Sequence, residues 1–150
     1  MAELTKRDRV YAEQVRQLYR LSRPAYIGAL INSSILIFAL WGVVAPGLLG
    51  TWLSAMFMVT GARYLLYRAY QSIQPPDTEA VRWASYFVAG AGAAGLLWGI
   101  AGSVLYPVAS LPHQFLVIFL VGGMTMAAMV ILAPVPVAFF AFMQIGRAHV

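Results

Sequence analysis

Charge is confined to a few short segments of this chain, and that arrangement limits its fold more than any other feature. No Asp, Glu, Lys or Arg occurs from Pro24 to Ala62, or from Trp83 to Gly146. A helix crosses a hydrocarbon core of about 30 Å with roughly 20 apolar residues. The first gap is long enough for nearly two crossings and the second for two and the beginning of a third. Of the 150 residues 61% are hydrophobic and 10% charged, and the mean hydropathy is +0.76. A soluble domain carries about 25% charged residues, and so much apolar surface exceeds what one small core can hold. The expected fold class is therefore all-α, a polytopic transmembrane helical bundle.

Helix breakers divide the gaps. The expected spans are residues 25–44, ending at Ala45-Pro46-Gly47; 48–67, with Arg63 snorkelling to an interface; 83–105, before Tyr106-Pro107; and 114–132, before Ala133-Pro134-Val135-Pro136. A fifth segment, 137–144, is too short to cross. Trp41, Trp52, Trp83 and Tyr106 fall at predicted ends, as interfacial aromatics should. Six basic residues precede the first span, and Arg63, Arg68 and Arg82 flank the connection between the second and third. The loops around Pro46 and 107–113 have none. The positive-inside rule then sets the N-terminus of this multi-pass chain in the cytoplasm. Topology accounts for the net charge of +5, so no nucleic-acid partner is expected.

Residues 1–23 are not a cleaved signal peptide, because the polar lead is long and no small-x-small site closes the apolar run. The lead reads as a helix, with Thr5 and Asp8 as a weak capping box and Tyr11, Val15, Leu18 and Tyr19 on one face. It is either a basic juxtamembrane helix lying on anionic lipid or a topogenic tail.

The hexapeptide Ile145-Gly146-Arg147-Ala148-His149-Val150 breaks the fifth segment. It is what ATC-GGA-AGA-GCA-CAC-GTC encodes, a string similar to a widely used sequencing adapter. Residues 145–150 are therefore expected to be non-native, with the protein continuing beyond Gln144 and any output domain lying there.

Chemistry is sparse. The spans contain no Asp, Glu or Lys, which argues against a small multidrug exporter because ion coupling needs such a group inside the bundle. There is no HExxH, no paired intramembrane carboxylate, no metal cluster and, with zero cysteines, no thiolate. Ser103 and His113 as a protease pair is a chance-level reading. No catalytic residue and no cofactor is assigned. Asn32, Ser33, His113 and Gln114 are the candidate sensing groups. Met124, Met126 and Met129 read as packing. Gly92, Gly95, Gly99 and Gly102 form a stripe, and Gly123 with Ala127 a small-xxx-small pair. Such residues let helices approach closely, within the bundle or in a homodimer. Leu40-Trp41-Gly42 and Leu97-Trp98-Gly99 form a faint internal echo.

The strings Val15-Arg16-Gln17-Leu18-Tyr19-Arg20, Leu40-Trp41-Gly42, Leu97-Trp98-Gly99, Leu111-Pro112-His113-Gln114 and Gly122-Gly123-Met124 resemble the MASE-like membrane-embedded input regions of bacterial signalling proteins. The resemblance covers residues 10–144. It implies several spans, small outer loops and a cytoplasmic output, either a GGDEF diguanylate cyclase, sometimes with EAL or PAS domains, or a histidine kinase. It implies no catalytic residue here. Its partners would be membrane lipid and a second copy, joined through the membrane region or the output domain. Lipid state, a small apolar compound or quinone redox state are the candidate signals. The rival expectation is a fragment of a small transporter or permease.

Overall fold

A computed structural model describes residues 6–132. The fifth segment, the adapter-like tail and the Thr5 half of the capping box lie outside the described residues. Four α-helices follow one another: α1, Lys6–Leu40; α2, Pro46–Ile73; α3, Ala80–Ser103; and α4, Leu111–Leu132. A single 3-10 turn, Asp77–Glu79, leads into α3. Three helical segments, Asp8–Leu40, Asp77–Ser103 and Leu111–Val130, are long and apolar enough to cross a membrane. The described residues form the all-helical fold of a membrane protein.

Boundaries differ from the expectation where local chemistry decides them. The lead and the first span are one helix, continuous through Pro24. Proline removes one backbone hydrogen bond, but Pro24 lies on the exposed face, where that loss leaves the packed face intact. The helix stops at Leu40 rather than Val44, because the chain turns at Gly42 with φ 82°, a conformation glycine adopts without strain. Pro46 starts α2 instead of preceding it. Proline is favoured at a first helical position, where its missing N–H costs no bond. α2 runs on to Ile73, where Gln74 caps it in the left-handed conformation (φ 44°) and donates its N–H to the Tyr70 carbonyl. His113 and Gln114 lie inside the first turn of α4, which begins at Leu111.

Two buried clusters fix the arrangement. At one end Leu40, Leu49, Leu105 and Val117 pack with Trp52, Trp98 and Leu120. These residues come from the end of α1, the start of α2, the end of α3 and the turn just after it, and the start of α4, so successive helices alternate in direction. At the other, basic end, Val15, Leu18 and Tyr19 of α1 pack with Tyr70 of α2 and Trp83, Ala84 and Phe87 of α3. α1 and α3 each pack on both α2 and α4, and also touch each other across the middle.

The packed face of α1 follows a seven-residue repeat along its whole length. Ala12, Tyr19, Tyr26, Ser33 and Leu40 form one row and Val15, Ser22, Ala29 and Leu36 the other, and all are buried. Alternating three- and four-residue steps of this kind are the signature of helices meeting along a seam. Small residues at several positions let the backbones approach. On α2, Leu49, Met56 and Tyr70 are buried at the same spacing, and Arg63 occupies the remaining place in that row.

Trp52 and Trp83 are corrected from interfacial aromatics to core anchors, only 4% and 8% exposed. The Trp52 Nε1–H donates to the Leu97 carbonyl at 2.7 Å, which lets a polar indole sit in an apolar layer. Trp41, 67% exposed at the helix end, keeps the interfacial character. The Trp41 and Trp98 echoes therefore occupy unlike sites, an exposed turn and a buried helix interior.

Candidate functional site

The sequence-predicted polar groups do not converge. Asn32 Nδ2 donates to Met124 Sδ at 3.2 Å, linking α1 to α4. His113 lies three turns back along α4, about 16 Å from Met124 at 1.5 Å per residue. Its Nδ1 is 2.6 Å from Ser110 Oγ. Ser110 is the residue before α4, so the pair closes a helix start in the manner of a capping box. Gln114 Nε2 donates to the carbonyls of Pro107 and Val108 at 3.1 and 2.9 Å, pinning the preceding loop. Ser103 Oγ donates to the Gly99 carbonyl of its own helix. These groups are structural caps and staples in this arrangement.

Ser33 is different. It is fully buried, and its Oγ has no hydrogen-bond partner among the described residues. Trp98 Nε1 is likewise unpartnered. Both residues lie two turns inward from the Leu40–Leu105 layer, about 10 Å.

The glycine stripe also changes role. A Cβ built on Gly92, Gly95, Gly99 or Gly123 meets nothing within 4 Å among the described residues, and one on Gly102 meets only Val121 at 3.7 Å. Gly92, Gly95, Gly99, Gly123 and Ala127 are exposed. Within one copy no described residue covers Gly92, Gly95, Gly99 or Gly123, and among the described residues the stripe meets a neighbour only at Gly102, at ordinary contact distance. The glycine under pressure is Gly90, where a Cβ would fall 2.9 Å from Arg63 Cγ.

That contact leads to the site that sequence reading left open. Arg63 is expected from the sequence to snorkel to an interface, with no direction around its helix assigned. Its stem crosses Gly90 of α3, and its guanidinium lies 5.2 Å from the Tyr26 ring centroid and 5.8 Å from that of Phe87. Phe87 is almost one turn closer to the basic end than Gly90, so the side chain does snorkel, but between the helices. Cation–π contact offsets part of the desolvation cost. Tyr64 and Tyr67 meet Tyr26 edge-on at 6.5 and 6.2 Å. Among the described residues Arg63 makes no ion pair; both recorded pairs use Arg16. The seven-residue row through Leu49, Met56 and Tyr70 was the available signal for its inward direction.

Below Arg63, toward the basic end, the aromatic layer is tightly ordered. The Tyr19 and Tyr70 rings stack at 3.9 Å and 3°. Tyr19 also meets Phe87 and Trp83 edge-on, and its hydroxyl donates to the Trp83 carbonyl at 2.9 Å. Arg16 Nη2 pairs with Asp77 Oδ1 and Arg16 Nε with Glu13 Oε2, each at 3.1 Å. An open cleft of about 540 Å³ lies beside this layer, between Arg16 and Arg20 of α1 and Gln71 and Gln74 at the end of α2. No group of three His, Asp or Glu residues comes together among the described residues.

The lead helix is thus part of the bundle: the face containing Val15, Leu18 and Tyr19 is covered by protein rather than lipid. Compared with known proteins, the chain matches no family model, no curated sequence and no solved structure, so its function has to be read from these residues.

Proposed function

We propose that the chain is the membrane-embedded sensory input module of a bacterial signal-transduction protein. It crosses the inner membrane with four helices, its basic end in the cytoplasm. The output domain, a GGDEF diguanylate cyclase or a histidine kinase, follows in the part of the protein beyond Gln144. The observation that supports this most is the unbroken seam of α1. One continuous helix runs from the basic lead through the apolar layers and is fastened at its basic end to α2 and α3 by the Tyr19–Tyr70–Trp83 layer. A change of packing at any depth then displaces the cytoplasmic end of the same helix. The small loops at the other end leave the membrane layers as the place where a signal is read. α2 completes the fourth crossing in this reading, its Arg63 and Arg68 lying toward the cytoplasm.

A second reading, a fragment of a small transporter, draws on Arg63, since an ionisable group inside a membrane bundle is a functional candidate by default. An arginine does not release its proton in the working pH range, and no acid among the described residues pairs with it, so proton coupling through Arg63 is disfavoured. Sequencing the genomic locus beyond codon 144 separates the two. A further span followed by a long polar domain is the expected result; further spans with internal Asp, Glu or Lys would replace signalling with transport.

A further inference from the structure

We propose that Arg63 is the anchor of a binding site for the phosphate of an anionic lipid, at the basic end of the bundle. Three observations support this. Arg63 stands in the packed row of α2, held between the Tyr26 and Phe87 rings, so its position is built rather than adventitious. Gly90 leaves the space through which the stem passes, since any Cβ there would collide with Cγ at 2.9 Å. The guanidinium makes no ion pair and no hydrogen bond to a described residue, while the other arginine that packs between elements, Arg16, has two carboxylates. A charge in a low-dielectric layer calls for an opposite charge, and here no described residue supplies it.

The chemistry of the missing partner follows from the surroundings. The five N–H donors of a guanidinium match a phosphate or carboxylate in bidentate fashion. The site is about one turn inward of the exposed Arg23 and Arg68, where acyl chains give way to headgroups. Arg63 keeps part of its surface accessible, and Tyr64, next to it on α2, is 41% exposed. A phosphodiester with its acyl chains along the apolar helices meets both demands, which a soluble anion does not. The inference stands whether the bundle signals or transports.

The test uses the whole chain purified in a neutral detergent and exchanged with phosphatidylglycerol, phosphatidylcholine or inorganic phosphate. Native mass spectrometry counts retained lipid, and thermal melting reports stabilisation. The wild type should retain phosphatidylglycerol over phosphatidylcholine. Arg63→Gln should weaken that binding about tenfold, the loss of one charge-assisted pair, while Arg68→Gln on the exposed face keeps it. Equal retention of the two lipids by the wild type overturns the proposal even if Arg63→Gln does not fold. So does unchanged phosphatidylglycerol binding in Arg63→Gln. Stabilisation by inorganic phosphate equal to that by the lipid, and lost in Arg63→Gln, identifies a soluble-anion site and overturns the lipid assignment.

Discussion

Replacing Tyr19 measures whether the basic lead belongs to the bundle. The side chain is fully buried, stacked on Tyr70 at 3.9 Å, and bonded through its hydroxyl to the Trp83 carbonyl at 2.9 Å. Truncating a large buried aromatic to alanine costs about 3–5 kcal/mol, from lost transfer energy and the cavity left behind. Removing only the hydroxyl costs about 1 kcal/mol, the net worth of one hydrogen bond. The stack adds roughly 0.5–1.5 kcal/mol beyond burial, so a Tyr19→Ala, Tyr70→Ala cycle should be non-additive by about that amount. Val10→Ala is the control, on the same helix but 53% exposed, and should shift stability by no more than about 0.5 kcal/mol. The assay is reversible unfolding in mixed micelles, followed by tryptophan fluorescence. If Tyr19→Ala costs no more than Val10→Ala, the lead is not docked. It would then lie on lipid, and the continuous seam of α1 would not transmit anything.

Four further outcomes are expected. Reporter fusions after Pro46 and after Ser110 should read as periplasmic and one after Pro76 as cytoplasmic; a periplasmic reading at Pro76 reverses the proposed topology. Gly90→Leu should strongly reduce folded yield in detergent because Arg63 blocks its Cβ, while Gly95→Leu should leave monomer stability within about 0.5 kcal/mol; the reverse order would show that the stripe packs inside the bundle. Ser33→Ala should leave thermal stability unchanged or raise it by about 1 kcal/mol, since it removes a buried hydroxyl without a partner; a clear loss would reveal an occupant bonded to Ser33. Gln74→Gly should raise the melting point by relieving about 1 kcal/mol of left-handed strain at φ 44°, and a lower melting point would contradict that cap geometry.

The helical fold was legible because long charge-free segments interrupted by Pro-Gly and Pro-x-Pro leave little else to build in lipid. The continuity of α1 was hidden by two local signals with the opposite meaning. Pro24 marks a break in most sequences, and the change from charged to apolar composition falls at the same place. Neither reports on the packed face, where Ser22, Ala29 and Ser33 are interspersed with Tyr19, Tyr26 and Leu36. A search for apolar periodicity passes over small polar residues, yet in a membrane bundle these are what helices pack through. The same blindness applied to the tryptophans. Composition places an indole at an interface, and only a partner for its N–H, here the Leu97 carbonyl, moves Trp52 into the core.

The glycines and Arg63 show how the site itself escaped a reading based on residue type. Gly92, Gly95 and Gly99 share a narrow angular stripe, and such a stripe is ordinarily a contact, but angle alone does not say which side of a helix its neighbours occupy. Gly90 is outside that stripe and has no motif, yet it is the position where a side chain is excluded. Its meaning depends on Arg63, and that of Arg63 on its row. Taken singly, an arginine in an apolar helix is a snorkelling charge, and it lowers the apparent hydropathy of α2. Taken with Leu49, Met56 and Tyr70 at seven-residue steps, it can only point where they point. The charge that makes α2 the least membrane-like helix of the four is thus the charge that the bundle is shaped around, with a glycine cleared for its stem and two aromatic rings holding its head.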